Sequence, residues 1–315
     1  MAAPGTSSAT PPGAGATNAI SVRGLTKSYG DVQAVAGIDL EVRTGEIFAL
    51  LGPNGAGKTT TVEILEGYRV RTGGEVSVLG VDPGTADRAW RARIGIVLQS
   101  TSDNADLSVQ EVVGHFATYY PAPRDPAAVI AAVGLAEKAT ARTRDLSGGQ
   151  RRRLDVALGI LGDPELVFLD EPTTGFDPEA RRQFWDLIES LRADGTTILL
   201  TTHYLEEAER LADRVGVIAA GRIVEIGPPQ TLGGRLQAPT TVSWLEAGER
   251  RSVTTHEPTR VVAELGARFG GEAPELAVLR PTLEDIYLRM IDGVAAEGTE
   301  AGHEAAVDAA TRVAR

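Results

Sequence analysis

Short, almost wholly apolar runs recur along this chain at Ile47–Leu51, Ile94–Leu98, Leu166–Leu169 and Ile198–Leu200, each followed by turn residues or a helix-like stretch. A strand that is apolar at every position is covered on both faces, which predicts an α/β architecture built on a parallel sheet. The strand signal disappears between about residues 100 and 161. There Val109, Val112, Val113 and Phe116 fall on one helical face, as do Leu154, Ala157, Leu158 and Leu161, so this segment reads as an inserted helical subdomain. After Gly227-Pro228-Pro229 the pattern changes again. A strand-like Thr241–Leu245, a helix over Arg260–Phe269 and another after Pro281 predict a small C-terminal α+β domain over 238–292. Thr282 and Asp285 have the spacing of a capping box, and Leu283, Ile286, Tyr287, Met290 and Ile291 share one apolar face.

Composition narrows the classes. With 42% hydrophobic residues in 315, the chain can bury one large core or two modest ones, which excludes a disordered or fibrous protein. Residues 1–18 are mostly Ala, Pro, Gly, Ser and Thr without a charge, the composition of a disordered leader and not of a signal peptide. Residues 293–315, rich in Ala, Gly and Glu with little apolar bulk, read as a tail. No run reaches the 18 consecutive apolar residues of a spanning helix, so the chain is not expected to cross a membrane itself. Acidic residues outnumber basic ones 43 to 31, and the net charge of −12 argues against a nucleic-acid surface. The absence of cysteine excludes disulfides, thiolate metal sites and a thiol nucleophile. Only three of the 31 basic residues are lysines, Lys27, Lys58 and Lys138, which makes each of them conspicuous.

One of those lysines stands in Gly52-Pro53-Asn54-Gly55-Ala56-Gly57-Lys58-Thr59-Thr60, directly after the apolar strand that ends at Leu51. Small residues there let backbone N–H groups wrap phosphates, the helix that follows points its positive end at the same anion, and Lys58 adds a point charge. The Thr59 hydroxyl can hold Mg²⁺. A second constellation is Leu166-Val167-Phe168-Leu169-Asp170-Glu171, a buried strand ending in two carboxylates. At the carboxyl end of a parallel strand Asp170 can reach the Mg²⁺ shell and Glu171 can polarise an attacking water. Third comes Leu146-Ser147-Gly148-Gly149-Gln150, which places a hydroxyl and bare N–H groups at another helix N-terminus, a second anion-binding end. A Ser-Gly-Gly turn by itself is usually just a cap. Arg151, Arg152 and Arg153 follow; three consecutive residues spread around a helix, so they cannot share one ligand and read as a solvated charge run.

In this order the motifs resemble those of the ATP-binding cassette (ABC) ATPases, specifically the nucleotide-binding subunits of ABC transporters, over residues 19–235. The resemblance includes Gln99 after the strand Ile94–Leu98, the LSGGQ signature at 146–150, Gly175-Phe176-Asp177, and His203 after Thr197–Thr202. Phe176 stands where many members have leucine. The resemblance implies a P-loop ABC ATPase domain that takes ATP and Mg²⁺. Tyr29 would stack on adenine, Glu171 would be the base, and Gln99 would contact Mg²⁺ and the attacking water. His203 would contact the γ-phosphate, while Asp177 would cross a dimer interface. The family works as a head-to-tail dimer in which the signature of one chain completes the phosphate-loop site of the other. It also implies an integral-membrane permease as partner, with the chain peripheral on the inner face of the cell membrane. The ending Pro281–Leu288 is similar to that of cassettes serving bacterial drug and antibiotic exporters, which points to export of a drug-like or lipophilic compound. The alternative is a stand-alone soluble ABC ATPase acting on ribosomes or DNA. Against it stand the single phosphate loop and signature and the 86 residues between Thr60 and Ser147, too few for a long coiled-coil insertion.

Overall fold

The computed structural model describes residues 17–97 and 106–293. Strands β1 (Asn18–Tyr29) and β2 (Val32–Arg43) form an antiparallel pair, and β3 (Ile47–Leu51), buried at all five positions, leads into helix α1 (Lys58–Leu65). Next come β4 (Gly73–Val78), α2 (Arg88–Arg91) and β5 (Ile94–Val97). The helices α3 (Val109–Ala117), α4 (Pro126–Ala132) and α5 (Gly148–Ile160) follow. Their starts are specified locally: Ser108 and Glu111 form a reciprocal capping box on α3, Asp125 caps α4 ahead of Pro126, and Ser147 with Gln150 forms a second capping box on α5.

β6 (Leu166–Asp170), α6 (Pro178–Ala193), β7 (Thr197–Thr202), α7 (Leu205–Leu211), β8 (Arg214–Ala219) and β9 (Arg222–Gly227) complete the main body. A six-stranded sheet of order β5-β6-β7-β3-β8-β9 divides the molecule, parallel except for the β8–β9 pair. Alternate side chains of each central strand enter opposite cores. Ile47, Ala49 and Leu51, with Val167, Leu169, Ile198 and Leu200, face the core formed with α5, α6 and α7. Phe48, Leu50, Phe168 and Leu199 face a second core closed by the β2-β1-β4 sheet through Ile20, Val22, Ile38, Leu40 and Val76. This two-sided burial is what leaves the central strands without polar positions until their ends.

Beyond Ala238 lie β10 (Thr240–Glu246), β11 (Glu249–Thr255), α8 (Pro258–Phe269) and β12 (Ala277–Leu279). They form a three-stranded antiparallel sheet of order β11-β10-β12, backed by α8 through a small core of Val242, Leu265 and Ala273. A final helix, α9 (283–293), returns to the main body: Leu283 joins the larger core and Ile286 is buried.

Candidate functional site

Three adjacent parallel strands, β6, β7 and β3, end on the same side of the sheet and deliver their following residues to one place. From β3 comes the loop Gly52–Gly57. Its glycines answer two different demands. A Cβ on Gly52 would meet the Ile218 carbonyl at 2.4 Å, whereas Gly57 caps α1 at φ 102° and leaves no room beside the Ala34 carbonyl at 2.5 Å. Because the cap is glycine, no side chain satisfies the first N–H groups of α1, and they remain available to an anion. Lys58 is buried and its ammonium donates to the Gly52 and Pro53 carbonyls at 2.6 and 3.1 Å. Burial pulls its pKa down, with Glu171 and Asp170 pulling it back up, so the three groups share one field. Thr59 is exposed on the first turn of α1. Tyr29 stands at the end of β1, 41% exposed, with Lys27 Nζ 4.9 Å and Arg69 Cζ 5.4 Å from its ring centre.

β6 supplies Asp170 and Glu171. Glu171 has φ +44°, a left-handed conformation that costs a non-glycine residue about 1–3 kcal/mol. β7 supplies the groups that hold it. The Glu171 N–H donates to the Thr201 carbonyl at 3.1 Å and to the Thr201 hydroxyl, which itself donates to Asp170 Oδ1. Beyond the end of β7, His203 Nδ1 lies 3.4 Å from Glu171 Oε1. Its ring leans on Tyr204 at 4.1 Å between centres, and the Arg181 guanidinium covers Tyr204 in turn.

The structure corrects the reading of the arginine run. Arg152 is not solvated: it is 7% exposed, and it donates from Nη2 to the Asp170 carbonyl at 2.5 Å and from Nε to the Pro172 carbonyl at 3.1 Å. The physical reason is the helical period. Of three successive residues on α5 one must turn toward the sheet, and the acceptors that β6 presents there make an arginine acceptable at that position. Asp155, one turn on and also buried, faces it at 4.0 Å.

The signature lies at the start of α5, where Gly149 approaches Phe176 and Ala180 at the beginning of α6. Ser147 Oγ accepts from the Gln150 N–H at 3.2 Å, a bond that leaves the hydroxyl proton free to donate. Asp177 caps α6 by accepting from the Ala180 N–H at 2.8 Å, and Phe176 is buried edge-on against Phe184. Gln99 lies outside the described residues.

A further carboxyl escaped the sequence. Glu66, at the end of α1, is 7% exposed; burial first, then Asp170 and Glu63, push its pKa from 4.5 to about 8. The fold therefore prefers the protonated acid, and its contribution to stability is fully present below pH 4.5 and is lost as the pH rises toward 8. The expected size is on the order of a few kcal/mol. Glu66→Gln should raise the melting temperature by roughly 5 °C or more at pH 8.5 and change it little at pH 4.5. Equal shifts at both pH values in a thermal melt would contradict this assignment.

The donors fit the groups that the resemblance implies. Thr59 offers one hydroxyl and Asp170 one carboxylate, the sparse protein set that Mg²⁺ takes when phosphates and waters supply its other ligands. Among the described residues no group of three or more His, Cys, Asp or Glu could hold a metal by itself.

Comparison with known proteins gives the family of the chain. The ABC transporter family profile matches residues 35–174, a span holding the phosphate loop, the signature and both carboxylates. The chain belongs to the ABC transporter family, as an ATP-binding subunit and ABC-type ATPase. It is 40% identical over 303 residues to Nod factor export ATP-binding protein I of Rhizobium meliloti (strain 1021), covering 89% of this chain and 90% of that protein. The protein of the same name from Ralstonia nicotianae is 41% identical over 308 residues, covering 89% and 95%. Among solved structures, an ATP-binding subunit of an ABC transporter superposes with a TM-score of 0.65 at 21% identity, covering 87% of this chain and 99% of that one. A dimeric post-hydrolysis cassette bound to ADP and Pi gives 0.60 at 23% identity over 66% and 98%.

Proposed function

We propose that this chain hydrolyses ATP to drive export through a separate membrane permease, as one half of a head-to-tail pair of cassettes on the inner face of the membrane. The observation that carries the reading is the meeting of Lys58, Asp170, Glu171 and His203 at three neighbouring strand ends, while the signature sits against Phe176 and Ala180 at the start of another helix. Among the described residues the chain has two helix ends suited to an anion, at α1 and α5, but one strand that ends in two carboxylates, as expected if each signature serves the site of the partner subunit. Export follows the printed function of the relatives, which this chain matches over nine-tenths of its length or close to it. A lipophilic or drug-like cargo is the extension of that reading. No helix among the described residues is long and apolar enough to cross a membrane.

In this reading the Gly52–Thr60 loop and Lys58 bind the β- and γ-phosphates, and Tyr29 stacks on adenine. Thr59 and Asp170 would hold Mg²⁺, with Gln99 as a further ligand by resemblance, and the ion would supply charge neutralisation at the transferring phosphoryl group. Glu171 accepts the proton of a water whose oxygen bonds to the γ-phosphorus. The bond from phosphorus to the β–γ bridging oxygen breaks, and that oxygen departs with ADP. His203, beside the Glu171 carboxylate, orients it and touches the γ-phosphate. Ser147, Gly148, Gly149 and Gln150 of the partner subunit close the site from the other side, and Asp177 lies at the seam. ATP thus bridges two surfaces, and its cleavage releases them.

The test is a tagged pull-down from gently solubilised membranes of the native cell. A polytopic membrane protein in near-equal amount is expected. Recovery with ribosomes, with DNA or alone in the soluble fraction would overturn the transport reading and leave the ATPase.

A further inference from the structure

The backbone around Glu171 is pinned at every polar group, and the pins come from two different elements. Thr201 on β7 takes its N–H, and Thr174 donates to the Glu171 carbonyl at 3.3 Å. The carbonyls on either side, of Asp170 and Pro172, both go to one guanidinium, that of Arg152. A non-glycine residue at φ +44° persists only where its surroundings over-determine it. Arg152 is the part of those surroundings contributed by α5, five residues beyond Ser147, and it is buried between the helix and the strand end. The guanidinium fork is the right shape for this: two N–H groups at fixed separation can take two carbonyls on either side of a kinked residue, which a lysine cannot do.

We propose that Arg152 is a positioning residue for ATP hydrolysis, its guanidinium clasping the two carbonyls that flank Glu171 so that the aim of the base depends on how the signature helix is seated. The inference rests on the assignment of Glu171 as the base. Its consequence concerns the pair of sites. The N-terminus of α5 serves one nucleotide and Glu171 of the same chain serves the other, so Arg152 is a rigid link between what the helix feels at one site and what the carboxylate does at the other. Displacing the carboxylate by an ångström is enough to slow the chemistry without touching ATP binding.

The test uses the full chain with Arg152→Met and Arg152→Lys, alone and combined with Glu171→Gln. Lysine keeps a charge opposite Asp155 but cannot span both carbonyls, so it is the control that separates loss of the clasp from loss of the buried charge. Arg152→Met should lower kcat by about 10- to 100-fold and Arg152→Lys by less, each with the KM for ATP held within about twofold. Single-turnover assays on the Glu171→Gln background should show no further loss from either change, because the group through which Arg152 acts is already gone. A folded Arg152 variant that binds ATP normally and turns over at the wild-type rate would overturn the proposal. So would a loss that persists in full on top of Glu171→Gln, or one that appears as a rise in KM alone. A wild-type rate in Glu171→Gln by itself brings down the base assignment, and this inference falls with it.

Discussion

Glu171→Gln is expected to lower ATP turnover by about 10²- to 10⁴-fold, the usual contribution of a general base, while leaving ATP affinity nearly unchanged. The amide matches the carboxylate in shape and leaves the Thr201 and Arg152 contacts to the backbone untouched, so the left-handed turn at position 171 is retained. What is lost is the acceptor for the water's proton. Because binding survives and cleavage does not, the variant should accumulate as an ATP-bound dimer, visible by light scattering and dispersed when ATP is removed. A variant that hydrolyses at close to the native rate would remove Glu171 from its role. One that is inactive yet stays monomeric with saturating ATP would remove the head-to-tail pair instead.

Lys58→Ala should fail at the earlier step. The Lys58 ammonium is the lysine placed at the phosphate loop, and a charged hydrogen bond of this kind contributes about 1.5–3 kcal/mol, so ATP affinity should fall by about 10- to 100-fold. The fold should tolerate the change. Burial already works against the Lys58 charge, and one of its two hydrogen bonds ends on the carbonyl of the exposed Pro53. Titration calorimetry with ATP, alongside a thermal melt without it, separates the two effects: weaker binding at a near-native melting temperature is the expected pair. Unchanged affinity would contradict the phosphate-loop assignment.

Much of this was legible in the sequence because the central strands are buried on both faces. Ile47–Leu51 and Leu166–Asp170 stand out as apolar runs, and their polar exits, Lys58 in one case and Asp170-Glu171 in the other, mark the side of the sheet where chemistry gathers. The face of α3 made by Val109, Val112 and Val113 was equally plain, as was the start of the last helix, where Thr282 and Asp285 cap each other. Arg152 was not. A run of three arginines shows that one must turn inward without showing what waits there, and the carbonyls it meets belong to a strand end some twenty residues away. The signal available was Asp155, a charge three residues on in the stretch Leu154–Ile160 that is otherwise apolar. Thr201 and Glu66 were hidden for a related reason. Thr201 matters through a backbone partner on the neighbouring strand, and Glu66 through burial at a helix end, neither of which leaves a periodic mark.

The way the last helix is fastened sets the freedom of the small sheet beyond Ala238. That sheet leaves the main body through Leu232–Gln237 and returns to it through α9. The two passages are joined: Arg235 donates to the Pro281 carbonyl at 3.0 Å and pairs with Glu209 on α7, while Gly233 is pressed against Ile286. A body held by two passages that are tied to each other has less freedom than one held by a single strand of chain. A pull on β10, β11 or β12 from outside would therefore meet the main body at these ties, one of which ends on α7, the helix that begins two residues after His203.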